Sequence, residues 1–439
     1  FAVTVSEYSA PAAPFTILDD STGGDCQHIG TWDAASKTCT ITEDITADSS
    51  DAIIIGSDGI TLQGDVNIQG VTTNYSYFGI LVDGKSNITL KDFNLLDFKY
   101  GVMAKNIDTL TIQDVTSDNT GQYVVNYQVD NSNDVLLDNI VSSSGNFCYG
   151  QSYGCESEFF ITNTNNVIFQ DSIFGTIKMG NSHNVELSNV NVGGGHPNYG
   201  YGIISIADRS SNINIHDSTF SKLNTSGGQF GISYVQDGGC SQSDVPRVCT
   251  SVGTVGTGIV IKNNEIISGM GASGLGASFT ISGNTFSNAY NHGCGLSFSA
   301  GNHINKLWGN GGHIISDNSF SCPGNSIYII GNDGTVISGN TFQDANSGIK
   351  LKGSQNNEIF ENNFINIINP VLPLNTNNVA PDPHPRSSAG NNVYDNFWTG
   401  FDSASEQCYN DGPFDKFCDS SFSITPETYR PDHCQGSCP

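Results

Sequence analysis

Residues 348–364, Gly348-Ile-Lys-Leu-Lys-Gly-Ser-Gln-Asn-Asn-Glu-Ile-Phe-Glu-Asn-Asn-Phe364, decide the fold of this chain. Apolar residues alternate with polar ones, a polar corner follows, and the alternation then resumes. An alternation with period two is typical of a β-strand, and no stretch of the chain shows a sustained helical period. The sequence therefore predicts short strands separated by tight corners.

The end of this stretch belongs to a phrase that recurs along the chain. Asn-x-Phe ends at Phe320, Phe342 and Phe364, which are 22 residues apart, and Ser282-Gly-Asn-Thr-Phe286 is an upstream copy. A period in the low twenties is typical of repeat proteins, in which each unit buries its apolar side against its neighbours. A unit of about 22 residues with three strands matches one coil of a β-solenoid, whose coils rise by roughly 4.8 Å. A β-sandwich also has short strands, but it has no reason to keep this phrase in register.

Asparagine and aspartate suit the corners, because they tolerate left-handed backbone and can form amide ladders when stacked. The repeated phrase resembles that of right-handed parallel β-helix proteins, which include pectate lyases and periplasmic NosD-type proteins, over roughly residues 46–400. The resemblance implies an all-β, single-stranded right-handed parallel β-helix of about 12–13 coils, with disulfide-bonded loops and end caps. Residues 22–41 resemble, more loosely, the start of secreted archaeal and bacterial β-helix proteins. This scaffold carries enzymes, adhesins and inert fibres, so the likeness leaves the function open.

The extent of the repeat divides the chain into four predicted regions. They are an N-terminal extended tail (1–16), an N-terminal cap with a cysteine pair (17–45), the β-helix (46–400) and a cysteine-rich C-terminal cap (401–439). Caps are expected because both ends of a solenoid expose unpaired strand edges. The outward positions of one repeated strand are predicted to be Leu81, Met103, Asn126, Ile161, Ile204, Ser297, Tyr328 and Lys350.

Composition and termini predict an extracellular or cell-surface protein. The net charge of −27 argues against nucleic acid and anionic membrane surfaces as partners. The chain starts at Phe1 and has neither a signal peptide nor an apolar run of about 20 residues, so we expect a secreted protein whose signal was removed and which does not span a membrane. Asn74, Asn87 and Asn224 begin sequons and are predicted N-glycosylation sites of a glycoprotein.

The cysteines support the same prediction. Twelve cysteines, an even number in Gly- and Ser-rich loops, indicate disulfides formed in an oxidising compartment. Zinc ligation is the alternative, but no CxxC spacing occurs. The pairs that lie close in sequence are Cys26/Cys39, Cys148/Cys155, Cys240/Cys249, Cys294/Cys322, Cys408/Cys418 and Cys434/Cys438. For the four C-terminal cysteines three connectivities stay open.

Candidate catalytic residues are few. The acidic and basic signatures of β-helix sugar hydrolases are absent, and the best cluster is Lys178, His183, His196, Tyr201, Asp208 and Arg209. Lys178 or His196 would act as a base, and Arg209 would neutralise a uronate. A surface ion pair between Asp208 and Arg209 is the simpler interpretation. Three methionines give no soft copper site, and we expect neither a metal nor a cofactor.

Two classes of function follow. The first is a non-catalytic extracellular structural protein that assembles into a surface filament or surface layer. Phe1, Val3 and Val5 alternate with smaller or polar residues, so the tail is predicted to add as a strand to a neighbouring subunit and form a homo-oligomer. The second is a polysaccharide lyase, glycoside hydrolase or glycan-binding protein, for which glycans are the partners.

Overall fold

The computed structural model describes residues 12–71, 77–119, 125–144, 159–193, 204–207, 210–221, 232–235, 258–267, 270–273, 278–287, 295–299, 312–374, 390–394, 396–399 and 422–424. The chain is a right-handed parallel β-helix, as its repeat implies. It divides into two compact units, unit 1 (1–177) and unit 2 (178–439). No helix in the described residues is long and apolar enough to cross a membrane.

The described residues of unit 1 form strands and one helical turn. The strands are β1 (Phe15–Ile17), β2 (Gly30–Asp33), β3 (Thr38–Ile41), β4 (Ile45–Ala47), β5 (Ile53–Ile55), β6 (Thr61–Gly70), β7 (Phe78–Asp83), β8 (Ile88–Leu96), β9 (Tyr100–Lys105), β10 (Leu110–Asn119), β11 (Val125–Asp130), β12 (Asn133–Asp138), β13 (Val141–Ser144), β14 (Phe159–Thr162), β15 (Asn165–Gln170) and β16 (Ile173–Phe174). The helical turn α1 (Cys26–Ile29) lies between β1 and β2.

Unit 2 continues the pattern, and its first strand begins at the last residue of unit 1. The strands are β17 (Ile177–Gly180), β18 (His183–Ser188), β19 (Asn191–Gly193), β20 (Ile204–Ala207), β21 (Ser211–His216), β22 (Thr219–Ser221), β23 (Ile232–Val235), β24 (Ile259–Lys262), β25 (Glu265–Ile266), β26 (Met270–Ser273), β27 (Phe279–Ser282), β28 (Thr285–Ser287), β29 (Leu296–Ser299), β30 (Ile314–Ser316), β31 (Ser319–Ser321), β32 (Asn325–Ile330), β33 (Val336–Ser338), β34 (Thr341–Gln343), β35 (Ser347–Lys352), β36 (Glu358–Phe360), β37 (Asn363–Ile365), β38 (Asn369–Leu374), β39 (Asn391–Tyr394), β40 (Phe397–Thr399) and β41 (Phe422–Ile424).

Three parallel sheets, A, B and C, run through each unit. In unit 1, sheet A holds β1, β5, β7, β9, β11 and β14, sheet B begins with β3, and sheet C begins with β4. The long strands β6, β8 and β10 bend at a corner and belong to both B and C. In unit 2, sheet A runs from β17 to β38, B from β18 to β39 and C from β19 to β40. Inward side chains stack into the core, as Ile53, Ile80 and Val102 do with no exposed surface.

The corner between sheets B and C explains the repeated phrase. Its first residue adopts left-handed backbone, with φ of 62° at Asp92, 54° at Asp114, 65° at Gly339 and 55° at Glu361. Asn, Asp and Gly reach this conformation at the lowest cost, which is why they recur there. The residue after it turns into the core, where Asn340 and Asn362 have no exposed surface.

In unit 2 the buried corner residues form an amide ladder. The side-chain oxygen of Asn340 accepts hydrogen bonds from the backbone N–H (3.0 Å) and the amide (2.9 Å) of Asn318. The amide of Asn340 donates to Asn362 Oδ1 (2.9 Å) and to the Ile315 carbonyl (2.9 Å). The ladder runs through Asn264, Asn284, Asn318, Asn340, Asn362 and Asn396. Each rung ties one coil to the next.

The phenylalanine of the phrase forms a second stack beside the amides. The Phe320 ring stacks on that of Phe342 with centroids 5.0 Å apart, and Phe342 stacks on Phe364 at 4.9 Å. These distances match the spacing of neighbouring strands, so the coils that carry the phrase each contribute one ring in register. The phrase therefore encodes a left-handed corner, a buried amide and a stacked ring in one short segment.

The described strand edges are closed in several places. The edge of β1 is covered by Asp25, whose side chain accepts from the Thr16 N–H (2.8 Å) and whose own N–H donates to the Thr16 carbonyl (2.9 Å). Sheet B ends in antiparallel partners, β2 on β3 and β41 on β39. β38, the last described strand of sheet A, contains Pro370 at a position facing the open edge, and this proline lacks the N–H that a further strand needs.

The predicted disulfide Cys26–Cys39 is present, and it joins α1 to β3 with Cα atoms 5.8 Å apart. Cys322 is also disulfide-bonded. The remaining predicted disulfide residues, Cys148, Cys155, Cys240, Cys249, Cys294, Cys408, Cys418, Cys434 and Cys438, lie outside the described residues. β1 begins inside the predicted tail and pairs with β5, whereas Phe1, Val3 and Val5 lie outside the described residues.

Three of the predicted outward positions are wrong. Asn126, Ile161 and Ile204 have no exposed surface and face the core. Gln128 and Phe160 occupy the column of Leu81 and Met103 instead. In unit 2 the backbone of Ser205 is in register with Ser297, Tyr328 and Lys350. The coils differ in length, and a slip of one residue turns a side chain to the opposite face of a strand.

Candidate functional site

The structure brings few of the predicted catalytic residues together. Lys178 is exposed on β17 of sheet A, whereas His183 is half-buried on β18 of sheet B, so the two lie on different faces of the coil. His183 Nδ1 lies 2.7 Å from Ser211 Oγ, a contact between neighbouring coils. The other members, His196, Tyr201, Asp208 and Arg209, lie outside the described residues.

A different cluster of ionisable groups stands on sheet B of unit 2. His216 is the last residue of β21, and its ring lies between two carboxylates. Its Nδ1 is 2.7 Å from Asp217 Oδ2, and its Nε2 is 3.0 Å from Glu186 Oε1 on the neighbouring strand β18. Lys262 on β24 is in register with His216 on the other side. Three neighbouring strands of sheet B thus contribute Glu186, His216 and Lys262, and Asp217 adds a carboxylate from the corner that follows β21.

The geometry of this cluster limits its chemistry. Ionised carboxylates only accept hydrogen bonds, so both ring nitrogens of His216 must carry a proton for both contacts to form. The hydrogen bond from His216 lowers the pKa of Asp217 below its usual value, with smaller contributions from Asn263 and Lys262. The side chain of Glu186 is 46% exposed and that of Asp217 58%, whereas His216 is only 16% exposed. The carboxylates are therefore the groups that a ligand can reach.

Sequence reasoning missed this cluster for a physical reason. Glu186, His216 and Lys262 are far apart in sequence, and only the strand register brings them together. The pairing of β18 with β21 spans 28 residues and that of β21 with β24 spans 46, so no constant period reveals it. The adjacent pair His216–Asp217 was the one visible signal.

Soft metal donors do not converge in the described part of the chain. Met103, Met179 and Met270 are buried in separate coils and are at most 4% exposed. Cys26, Cys39 and Cys322 are held in disulfides. No group of three His, Cys, Asp or Glu side chains in the described ranges could hold a metal ion.

One predicted glycosylation site can be placed. Asn87 is exposed at a corner before β8, with φ of 54°, and its sequon ends at Thr89. An exposed corner is accessible to a modifying enzyme, so the geometry is compatible with modification. Asn74 and Asn224 lie outside the described residues.

The comparisons with known proteins concern this fold. The pattern of one family, described as periplasmic copper-binding protein (NosD), matches residues 162–414, more than half of the chain. None of the curated proteins matches the chain. Copper binding, named in the family description, does not fit the described residues, because their methionines are buried apart and their cysteines are oxidised.

Solved structures with a similar chain path share little sequence with it. PfbA, a surface adhesin of Streptococcus pneumoniae, aligns at 14% identity and a TM-score of 0.49, over 80% of this chain and 88% of that one. The A-module of the mannuronan C-5 epimerase AlgE4 of Azotobacter vinelandii aligns at 14% identity and a TM-score of 0.31, over 82% and 97%. The tailspike gp49 of the Acinetobacter baumannii bacteriophage Fri1, a capsular polysaccharide depolymerase, aligns at 10% and 0.24, over 75% and 56%.

Proposed function

The chain belongs to the NosD family of parallel β-helix proteins, and from that premise we propose that it is a non-catalytic extracellular structural protein that assembles into a surface filament or surface layer. The amide ladder of unit 2 carries this proposal. Its buried polar side chains join each coil to the next, as from Asn318 through Asn340 to Asn362. Such continuous coupling along the coil axis suits a load-bearing rod.

An oxidising location supports the proposal. The Cys26–Cys39 disulfide lies at the start of unit 1, where β1 begins the parallel strands of sheet A and β3 those of sheet B. Disulfides persist outside the cytosol, and a bridge across such a loop contributes about 3 kcal/mol. The matching family is described as periplasmic, which likewise favours an extracytoplasmic setting. We therefore propose the cell surface or extracellular space as the location.

The closed strand edges of sheets A and B limit where a second subunit could add a strand. Sheets A and B have covered or proline-bearing edges, whereas β4 and β40 of sheet C each pair with one strand in the described residues. A tail strand carrying Phe1, Val3 and Val5 would add most easily to an edge of sheet C in a second copy. A head-to-tail contact of this kind repeats without closure and produces a filament.

Electron microscopy of the native secreted material tests the proposal, together with a variant that lacks residues 1–11. This deletion stops before β1, so the first coil should remain intact. We expect filaments or sheets from the intact chain and folded monomers from the deletion, with unchanged circular dichroism. A matched control replaces Phe1, Val3 and Val5 by Ser and keeps the chain length. An intact protein that stays monomeric at high concentration would contradict the proposal.

A second candidate, action on or binding of a polysaccharide, is favoured by the cluster around His216. Hydrolysis of a glycosidic bond requires two carboxylates, and Glu186 and Asp217 flank one imidazole on an exposed face. His196, Asp208 and Arg209 remain proposed contributors, whereas Lys178 stands on sheet A, on a different face from this cluster. A product screen against neutral and uronate glycans tests this function with the Glu186→Gln and His216→Asn variants. Turnover by the native protein that both substitutions abolish would establish this function. Turnover in both variants at the native rate would exclude this cluster as the active site.

A further inference from the structure

Two lysine side chains form a short positively charged strip on the outward face of unit 2. Lys350 and Lys352 alternate on the outward face of β35, so their Cα atoms lie about 7 Å apart. Tyr328 on β32 is in register with Lys350, whose ammonium lies 5.0 Å from the centre of the ring. Burial raises the pKa of Tyr328, so its hydroxyl stays neutral. We call Tyr328, Lys350 and Lys352 the lysine strip.

The lysine strip has no counter-ion in the described part of the chain. No described carboxylate oxygen lies within 4.0 Å of either ammonium, although the protein has 43 acidic residues and only 16 lysines and arginines. By contrast, Lys37 is paired with Asp19 and Lys91 with Asp92. Two like charges side by side on one strand repel each other, so an anionic partner would stabilise them.

A complementary acidic segment lies at the start of unit 1. Glu43 and Asp48 flank β4, and both side chains are exposed. Neither has a cationic partner within 4.0 Å among the described residues. Asp44 between them is engaged differently, because its carboxylate accepts hydrogen bonds from the N–H (2.8 Å) and the amide (3.2 Å) of Asn67. Glu43 and Asp48 are thus available to a partner, and Asp44 holds the local structure.

We propose that the lysine strip of one subunit binds Glu43 and Asp48 of a second copy of this chain. The inference rests on the proposed function, since it supplies a contact for the assembling subunit. The two patches differ in sequence and sign, so the contact is heterologous and leaves one patch of each kind open for the next subunit. The five residue steps from Glu43 to Asp48 span at most about 17 Å, which two flexible lysine side chains can bridge.

The high net charge gives this contact its selectivity. Copies with a charge of −27 repel each other over most of their surface. Association is then favoured where the local sign is inverted, as it is at the lysine strip. The tyrosine ring adds an apolar surface that holds the Lys350 side chain in place.

A charge-swap experiment tests the proposal. The variant Lys350→Glu with Lys352→Glu and the variant Glu43→Lys with Asp48→Lys should each raise the critical concentration for assembly at least tenfold. Mixed in equal amounts, the two variants should assemble again, because each reversed patch meets its reversed complement in the other chain. Lys85→Glu with Lys91→Glu changes the net charge as much as the lysine-strip variant does and should assemble like the native chain.

The outcomes separate this inference from the proposed function. If the lysine-strip variant assembles like the native protein, or if mixing does not restore assembly, the charged contact is wrong while filament formation stands. If the lysine strip instead binds an anionic polysaccharide and the mixed variants stay apart, the partner is a glycan and the inference is overturned. If the native chain does not assemble at all, the proposed function fails first. Circular dichroism of each variant distinguishes lost contact from lost folding.

Discussion

The corner between sheets B and C is built differently in unit 1 and in the part of unit 2 that begins at Asn264. In unit 1 the residue after the left-handed position is Phe93, Val115, Ile140 or Ser172. Of these only the serine reaches a neighbouring coil by a side-chain hydrogen bond, which it accepts from the Ile140 N–H (3.0 Å). In unit 2 from Asn264 onward the same corner carries an amide, such as that of Asn284, which accepts from Asn264 in one neighbouring coil and donates to Asn318 in the other. The same backbone corner therefore tolerates an apolar, a hydroxyl or an amide side chain.

The difference teaches that backbone conformation and coil coupling are separate properties of this corner. The left-handed residue sets the bend in both units, as Asp171 (φ 51°) and Asp317 (φ 57°) show. The inward residue decides how firmly one coil holds the next. A serine satisfies one backbone donor, whereas an amide satisfies donors and acceptors on two neighbouring coils. We expect the amide corners to dominate the stability of unit 2.

The largest effect should come from Asn340→Ala. It removes the acceptor for the backbone N–H and the amide of Asn318, and the donor to Asn362 and to two carbonyls. Because these groups are buried, the free energy of unfolding of unit 2 should fall by about 3–5 kcal/mol. Urea denaturation followed by hydrogen exchange of the neighbouring strands measures the loss. A loss below about 1 kcal/mol would show that the ladder is not a cooperative element.

The next effect should be a pH dependence from His313, which replaces an amide at another buried corner of unit 2. Its Nδ1 accepts a hydrogen bond from the Phe279 N–H (3.3 Å), and its ring stacks on that of Phe298 with centroids 4.4 Å apart. Its Nε2 has no hydrogen-bond partner among the described residues. Burial lowers its pKa from 6.5 to about 4. Between pH 4 and pH 6.5 the histidine is protonated in the unfolded chain but neutral in the folded one. The free energy of unfolding therefore rises with pH in this range, and the stability is lost as the pH falls from 6.5 towards 4. The loss amounts to about 3 kcal/mol.

Urea midpoints at pH 7 and pH 4.5 measure this dependence, and His313→Asn is the matched control. Asparagine occupies the same corner at Asn357 and Asn391, where its oxygen accepts the backbone N–H of the preceding coil. The variant should therefore keep the hydrogen bond and lose the pH dependence that the histidine adds. If the urea midpoint changes equally between pH 7 and pH 4.5 in both proteins, His313 does not titrate in this range.

A smaller effect should follow from Ser172→Ala in unit 1. The serine hydroxyl accepts from the Ile140 N–H and donates to the Gln170 carbonyl (2.6 Å). One buried backbone donor is left without a partner, so the free energy of unfolding should fall by about 1–2 kcal/mol. The same denaturation measurement on both alanine variants compares the corners directly. A loss as large as that of Asn340→Ala would contradict the proposed difference between the units.

The sequence predicted the parts of this molecule that repeat locally. The alternation in residues 348–364 and the Asn-x-Phe phrase predicted strands, corners and amide ladders, because each depends on residues adjacent in sequence. The Cys26–Cys39 disulfide was predictable from its short spacing. The outward position of Ile161 was wrong, and the Glu186–His216 contact was missed, because both depend on coil lengths that vary. The predicted cluster from Lys178 to Arg209 failed to converge on one face in its described part for the same reason.

The smallest effect concerns the left-handed residue itself. Glu361 adopts φ of 55° at a corner where Gly283 and Gly339 adopt 66° and 65°. Left-handed backbone costs a residue with a side chain about 1–2 kcal/mol, and a glycine avoids this cost. Roughly half of the benefit is lost, because glycine has more conformational freedom in the unfolded chain. Glu361→Gly should therefore stabilise unit 2 by up to about 1 kcal/mol, seen as a higher urea midpoint with an unchanged slope.

The reciprocal change tests the same corner from the other side. In Gly339→Ala the new Cβ would lie 2.5 Å from Asp317 Oδ1, so the aspartate must move in addition to the backbone strain. We expect a loss of about 1–2 kcal/mol, which exceeds the gain from Glu361→Gly. If both substitutions leave the urea midpoint unchanged, the bend is set by the buried amides rather than by the left-handed residue. The separation of backbone conformation from coil coupling would then be wrong.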